Sequence, residues 1–197
     1  MTAIIIVDLQ NDFLTVDGPL KQNHIPTYFL KNIEELVKKE RNIGSLIIWI
    51  NSIYHNNYID HKDKFNYYQD ELNKLPFNYD VLFKTHCGKR QFCAKDTLGQ
   101  KFHIFASELI IDSDIIITKN NYSSFIDTNL KNILDANNIK KTIVCGVTTN
   151  NCVKATAIHS YLLGFDTYIS KSCTMSTNEI KKDKTLKELE NICTIID

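Results

Sequence analysis

Three residues with complementary chemistry stand where three separate apolar runs of the sequence end. Asp8 follows the run AIIIV (3–7), Lys119 follows DIIIT (114–118), and Cys152 closes the turn GVTTNNC (146–152). A thiol is mostly protonated at neutral pH, but a helix N-terminus and a neighbouring ammonium both favour the thiolate. If the three side chains converge, Asp8 would accept the thiol proton and later pass it to a leaving amine, while Lys119 would stabilise negative charge. The pattern is typical of a cysteine nucleophile with its own acid–base group.

Each of these residues also has an ordinary structural explanation. Asp8 fits a turn, Lys119 fits a solvated loop, and Cys152 fits a small thiol packed in a helix. The turn GVTTNNC adds a further feature, because residues that enter a helix carry free backbone N–H groups that can hold an oxyanion. The combination, rather than any single residue, predicts catalysis.

The elements that would position these residues are strands and helices in alternation. Four apolar runs are continuous rather than alternating, which is typical of strands covered on both faces in a parallel sheet. These runs are 3–7, 45–50, 114–118 and 142–147, and three weaker candidates are 81–84, 166–170 and 192–196. Helical periodicity lies between them, at 26–42, 127–138 and 151–163.

This alternation predicts right-handed βαβ units and a doubly wound α/β sheet. Ligands of such sheets bind outside the carboxyl ends of the strands. Asp8, Lys119 and the turn before Cys152 all follow strand ends, so we expect them to meet at one edge of the sheet.

Length and composition indicate one domain over residues 1–197, since 197 residues with 43% hydrophobic content can bury a single sizeable core. The segment 52–80, rich in Asn, Asp, Tyr and Lys, is expected to be a helical excursion, a lid-like insertion or a subunit contact. No G-x-G-x-x-G follows a predicted strand and only six glycines are present, which argues against a dinucleotide cofactor. We expect no cofactor.

Charge and hydropathy indicate the kind of partner. Lys plus Arg and Asp plus Glu both number 23, so no overall field draws the chain to nucleic acid or to an anionic membrane. No apolar run is long enough to span a bilayer, and the first residues lack the pattern of a signal peptide. We expect a cytoplasmic protein, a homo-oligomer (dimer or tetramer), that acts on a small molecule.

Three stretches of the sequence closely resemble the three motifs of the isochorismatase-like cysteine hydrolases, a superfamily that includes nicotinamidases, N-carbamoylsarcosine amidases and ureide amidohydrolases. They are IIIVDLQNDFL with Asp8, Gln10, Asp12 and Phe13, ITKNNYSSF with Lys119, Tyr122 and Phe125, and CGVTTNNCVKATA with Cys152. The stretches stand in the family's order, and the resemblance spans nearly the whole chain.

The resemblance implies a six-stranded parallel sheet that carries a catalytic triad of Asp8, Lys119 and Cys152. It also implies a non-proline cis peptide bond between Val147 and Thr148, which would aim the N–H groups of Thr148 and Cys152 into an oxyanion hole. Candidate substrate-binding residues within the motifs are Gln10, Phe13, Tyr122 and Phe125.

One departure from the family concerns metal. Family nicotinamidases carry an Asp-x-His pair after the second strand that binds a divalent metal, whereas WINSIYHNN places Asn51 and Ile53 there. His55, His61 and His86 match no strong ligand spacing. We therefore expect no catalytic metal, which disfavours nicotinamidase activity.

The expected activity is C–N bond hydrolysis of a small amide, carbamoyl or ureide substrate. Isochorismatases proper, which cleave a vinyl ether by proton transfer, resemble this chain at Asp8 and Lys119 but do not keep the cysteine as a nucleophile. Two alternatives remain at the level of sequence: vinyl-ether hydrolysis that uses Asp8 without Cys152, and a catalytically silent member that serves as a binding or oligomerising module.

Overall fold

A computed structural model describes residues 1–15, 18–19, 26–54, 62–84 and 92–197 of the chain. Within these residues, six strands form one sheet: β1 (Thr2–Val7), β2 (Leu46–Ser52), β3 (Ile115–Lys119), β4 (Lys141–Val147), β5 (Asp166–Met175) and β6 (Thr194–Ile196). All neighbouring strands pair in parallel, in the spatial order β3-β2-β1-β4-β5-β6. The predicted doubly wound parallel sheet of six strands is confirmed.

The central strands are buried on both faces, as their continuous apolar runs predict, whereas Ile116 of the edge strand β3 is 52% exposed. In β1, Ile4 and Ile6 belong to one hydrophobic cluster, whereas Ile5 and Val7 belong to another. Alternate residues of a strand point to opposite faces, so a strand covered on both sides is apolar at every position.

Helices cover the two faces. The described α-helices are α1 (Asn11–Leu14), α2 (Thr27–Asn42), α3 (Gln69–Asn73), α4 (Ile104–Leu109), α5 (Leu130–Ala136), α6 (Lys154–Leu162) and α7 (Glu179–Leu189). Helices α2 and α4 pack on the face of Ile4, whereas α5 packs on the face of Ile5. No helix in the described ranges combines the length and apolar character that a membrane crossing needs.

One expected strand is wrong. Residues 81–83 belong instead to a 3₁₀ helix, Asp80–Phe83, and Lys84 follows its end. Asn78 starts the turn, because its Oδ1 accepts a hydrogen bond from the Asp80 N–H at 2.9 Å. Leu82 and Phe83 are buried in a third cluster, and an apolar run this short does not distinguish a strand from a buried helical turn.

Within the described part of the 52–80 segment, residues 62–73 are helical. A 3₁₀ helix (Lys62–Tyr68) leads into α3. Phe65 and Leu72 are buried in the same cluster as Ile158 of α6 and Leu186 of α7, so this part of the segment packs onto the core. Its role as a lid or subunit contact stays a prediction.

The chain reverses its winding between β1 and β4, which makes their carboxyl ends the switch point where ligands bind in such sheets. The two strands approach closely at the pair Val7 and Gly146. Gly146 has φ +108°, and a Cβ atom there would lie 2.1 Å from the Val7 carbonyl oxygen. Glycine at position 146 therefore permits the approach of the strands that lead to Asp8 and Cys152.

Gly146→Ala is expected to destabilise the fold by about 3 kcal/mol or more, because the clash with β1 adds to the backbone strain. The matched control is Gly164→Ala: Gly164 also has a positive φ, +85°, but nothing lies within 4 Å of a Cβ there. Strain alone should cost that variant about 1–2 kcal/mol. Urea unfolding of both variants measures the difference, and equal losses would show that the contact with β1 is not limiting.

Candidate active site

A buried ion pair joins the ends of β1 and β3. Lys119 Nζ lies 2.9 Å from Asp8 Oδ2, and both side chains have 0% exposure. Removing two charges from water is costly unless further hydrogen bonds compensate. Lys119 Nζ has three such acceptors, Ser52 Oγ at 2.7 Å, the Asn121 carbonyl at 3.0 Å and Tyr54 OH at 3.2 Å.

The two carboxylate oxygens of Asp8 differ in their surroundings. Oδ1 accepts a hydrogen bond from Ser52 Oγ at 2.8 Å. Oδ2 is buried and makes the ion-pair contact with Lys119. The Asp8 carboxylate also acts on the Cys152 thiol through its charge and a side-chain hydrogen bond, so the thiol proton lies within its reach.

Cys152 lies in a π-helical turn, Thr149–Val153, that connects β4 to α6, and it is 4% exposed. Burial raises the pKa of its thiol to about 12; Lys119 acts in the opposite direction, and the Asp8 charge adds to the rise. This balance differs from the sequence expectation that the ammonium and the helix end would favour the thiolate, because desolvation outweighs both. The raised pKa favours the neutral thiol over the thiolate at neutral pH.

The charge state of Lys119 follows from its neighbours. Burial alone would lower the pKa of its ammonium, but the Asp8 carboxylate and then Cys152 more than offset this and raise that pKa above its ordinary value. Lys119 remains a cation in the resting site, and it favours negative charge on the carboxylate and on the sulfur.

The turn before Cys152 contains the Val147–Thr148 peptide bond in the cis form. The Thr148 carbonyl accepts hydrogen bonds from the N–H groups of Asn151 at 3.1 Å and Val153 at 3.3 Å. Asn151 Nδ2 also donates to Thr148 Oγ1 at 3.0 Å. The N–H groups of Thr148 and Cys152, which the expected oxyanion hole would use, are not among these donors.

A cavity of about 70 Å³ adjoins the thiol. Its described lining consists of Phe13, Tyr54, Phe92, Tyr122, Thr148, Asn151 and Cys152. The rings of Phe13 and Phe92 stack at 5.7 Å with 9° between their planes, and Tyr54 meets Tyr122 edge to face at 6.3 Å. The walls are therefore largely aromatic, with polar groups concentrated near the sulfur.

Two of the four candidate substrate-binding residues, Phe13 and Tyr122, line this cavity, and the other two lie elsewhere. The Gln10 amide bonds to both backbone groups of Ser52, with Nε2 donating to the carbonyl at 2.8 Å and Oε1 accepting from the N–H at 2.7 Å. Phe125 is buried beside Phe165, 6.2 Å between ring centres. Gln10 thus holds the end of β2 in place, and Phe125 packs in the core.

Ser52 and Tyr54 are the site residues whose roles the sequence did not indicate. The metal positions expected from the resemblance are Asn51 and Ile53, but Asn51 Oδ1 accepts a hydrogen bond from Thr118 at an exposed position. The alternate residues, Ser52 and Tyr54, face Asp8 and Cys152 instead. Alternate residues of an extended chain point to opposite sides, so Asn51 and Ile53 form one set and Ser52 and Tyr54 the other. The register in which β2 pairs with its neighbours decides which set faces the site.

The donor set at this end of β2 does not fit a zinc ion, which takes imidazole, thiolate or carboxylate ligands. Ser52 Oγ is already engaged by Asp8 and Lys119. No group of three or more His, Cys, Asp and Glu side chains suited to a metal occurs among the described residues. The candidate ligands His55, His61 and His86 lie outside the described residues.

Comparisons with known proteins place this fold and site in context. A family model described as the isochorismatase domain matches residues 2–197. The uncharacterized isochorismatase family protein YrdC of Bacillus subtilis is 45% identical over 96 residues, which cover 49% of this chain and about half, 51%, of that relative. A probable inactive nicotinamidase of Arabidopsis thaliana is 26% identical over 199 residues, covering 97% of this chain and 89% of that protein.

Among solved structures, the pyrazinamidase of Pyrococcus horikoshii in complex with zinc superposes with a TM-score of 0.74 at 23% identity, covering 100% of this chain and 98% of that one. A structural likeness at 23% identity shows the fold alone. The family model matches almost the whole sequence and therefore shows the family. The chain belongs to the isochorismatase family.

Proposed function

We propose that the protein is a cysteine amidohydrolase that cleaves a C–N bond of a small amide, carbamoyl or ureide substrate through a thioester on Cys152. The observation that carries the proposal is the buried pair of Asp8 and Lys119 beside a thiol that lines an aromatic cavity. A nucleophile with a raised pKa needs a base within reach, and the Asp8 carboxylate is near enough to act on the Cys152 thiol through its charge and a side-chain hydrogen bond.

Acylation would begin with transfer of the thiol proton to Asp8. The sulfur attacks the carbonyl carbon, a C–S bond forms, and the carbonyl π electrons move onto oxygen. The N–H groups of Thr148 and Cys152 are the proposed donors to this oxyanion, an arrangement that stabilises charge only as it develops. When the intermediate collapses, the C–N bond breaks and the leaving nitrogen takes the proton from Asp8.

In deacylation, water would be the nucleophile and sulfur the leaving group. Water attacks the thioester carbon and gives a proton to Asp8, the C–S bond breaks, and the departing sulfur recovers the proton from Asp8. Lys119 keeps its proton throughout, since its pKa is raised, and it balances the negative charge that alternates between carboxylate and sulfur.

Amide-type substrates fit this site better than a vinyl ether. Proton transfer to a vinyl ether needs an acid and no nucleophile, whereas Cys152 lies at the wall of the cavity with Asp8 and Tyr54 around its sulfur. The pyrazinamidase of similar fold supports the amide assignment by analogy. The Arabidopsis relative named as inactive keeps the silent alternative open to test.

Cys152→Ala should abolish ammonia release in a panel of primary amides, carbamoyl compounds and ureides, because the covalent route requires the sulfur. Cys193→Ala, which removes a thiol buried in the cluster remote from the cavity, is the control and should keep its turnover. Retained hydrolysis in Cys152→Ala would rule out the thioester route. No release by the unaltered protein from any compound of the panel would favour the silent alternative.

Substitution of Lys119 and substitution of Asp8 should shift the pKa of the Cys152 thiol in opposite directions. Lys119 lowers the pKa of Cys152 and Asp8 raises it, so Lys119→Met should slow alkylation of Cys152 at a given pH and Asp8→Asn should speed it. Both variants should nevertheless lose at least about 100-fold in turnover, since one lacks the cation and the other the base.

The measurement is the rate of Cys152 alkylation by iodoacetamide against pH, together with turnover. The double variant Asp8→Asn/Lys119→Met removes both charges at once, so it controls for the cost of leaving one charge buried without its partner. Alkylation profiles that both match the unaltered protein would contradict a shared site.

Exhaustive chelation should leave turnover unchanged, because neither the expected positions, Asn51 and Ile53, nor the residues that face the site, Ser52 and Tyr54, supply carboxylate or imidazole ligands. The check is the rate after dialysis against EDTA and 1,10-phenanthroline, with metal content measured in parallel. Loss of turnover that zinc, iron or manganese restores would show that residues outside the described ranges hold a catalytic metal.

A further inference from the structure

Tyr54 brings a phenol directly to the nucleophile. It lies two residues beyond the end of β2, it is 7% exposed, and its OH lies 3.3 Å from Cys152 Sγ. The same oxygen is 3.2 Å from Lys119 Nζ and 3.0 Å from Ser52 Oγ. The phenol therefore contacts the reacting sulfur and the cation in one place.

The protons around this oxygen can be assigned from hydrogen-bond chemistry. Lys119 has no acceptor atom, so it donates to the phenol oxygen. Ser52 has one hydroxyl proton, and it directs that proton to the charged Asp8 Oδ1 at 2.8 Å while accepting from Lys119. Among the described residues, Ser52 Oγ and Cys152 Sγ are then within reach of the phenol proton.

Ionisation of the thiol favours the sulfur over the serine as the acceptor. Once the sulfur is negative, a hydrogen bond to it is charge-assisted and stronger than one to the neutral serine. Lys119, by donating to the same phenol oxygen, polarises the O–H bond and strengthens it as a donor. Ser52 remains satisfied by its bonds to Asp8 and Lys119 when the phenol turns to the sulfur.

We propose that Tyr54 is a fourth catalytic residue, whose phenol donates a hydrogen bond to the Cys152 sulfur when that sulfur carries negative charge, at attack and again when the thioester breaks. The proposal rests on the proposed function, because it assumes that Cys152 is the nucleophile. Tyr54 would keep its proton at every step, and the thiol proton goes to Asp8.

The electrostatics of the site support a donor rather than a base. Burial, followed by the charges of Cys152 and Asp8, raises the pKa of Tyr54 well above its ordinary value, so the phenol stays protonated. The described groups that bear on the charge of the sulfur are Asp8, Lys119 and Tyr54, and the buried thiol of Cys93 interacts with it more weakly. Of these, Lys119 and Tyr54 favour the thiolate.

Tyr54→Phe removes the hydroxyl and keeps the ring. We expect the apparent pKa for alkylation of Cys152 by iodoacetamide to rise by about 1–2 units, which is the usual worth of a hydrogen bond to a charged group. Alkylation below that pKa and turnover should both fall about 10- to 100-fold, with KM nearly unchanged, because the lost bond forms only with charged sulfur. Tyr67→Phe is the control, since Tyr67 is 89% exposed on the 3₁₀ helix before α3.

A second variant keeps the test decisive if Tyr54→Phe fails to fold. Site-specific 3-fluorotyrosine at position 54 retains the shape and makes the phenol a stronger donor, so it should shift the alkylation pKa downward. An alkylation profile identical to that of the unaltered protein in both variants, or in the fluorotyrosine variant alone if the other does not fold, would overturn the role of Tyr54.

Failure of this inference can be distinguished from failure of the proposed function. If Cys152→Ala keeps its turnover, Cys152 is not the nucleophile and both proposals fall. If Cys152 is required and alkylated but the Tyr54 variants leave its pH profile unchanged, the cysteine mechanism stands and Tyr54 has no part in it.

Discussion

The buried pair of Asp8 and Lys119 is the constraint on which the rest of the site depends. An ammonium and a carboxylate without solvent contact are tolerated only where their remaining hydrogen-bonding groups find partners. Ser52 Oγ, Tyr54 OH and the Asn121 carbonyl supply those partners to Lys119. Any shift of β2 relative to β1 and β3 would break several of these contacts at once, so the pair ties the chemistry to the register of the sheet.

Two residues of the first motif, Gln10 and Asp12, stabilise this arrangement without belonging to the ion pair. Gln10 clamps the backbone of Ser52, which directs the serine hydroxyl between Asp8 and Lys119. Asp12 accepts a hydrogen bond from the Cys93 N–H at 2.6 Å, and its own N–H donates to the Gly99 carbonyl. This second clamp fixes the loop that follows Phe92, one wall of the cavity. Gln10 and Asp12 thus hold in place the segments that surround the cavity.

The sequence predicts the sheet well because both faces of its strands are covered, and a continuous apolar run between helical segments is typical of such strands. Asp8 and Lys119 could be found because they follow strand ends in a fold whose ligands bind at that edge. The 3₁₀ turn at Leu82 and Phe83 escaped prediction, since a run of three apolar residues is too short to show a period. The roles of Ser52 and Tyr54 depend on register, and the raised pKa of Cys152 depends on burial, which are properties of the assembled fold.

The central claim is that an acyl group passes through Cys152. The most direct measurement takes an amide from which the protein releases ammonia and adds hydroxylamine, a nucleophile that competes with water for an acyl-enzyme. A thioester route predicts a hydroxamate alongside the acid, in a ratio that stays the same for different amides of one acyl group, because all pass through one intermediate. Formation of the acid alone at every hydroxylamine concentration, or a ratio that changes with the leaving amine, would contradict the account.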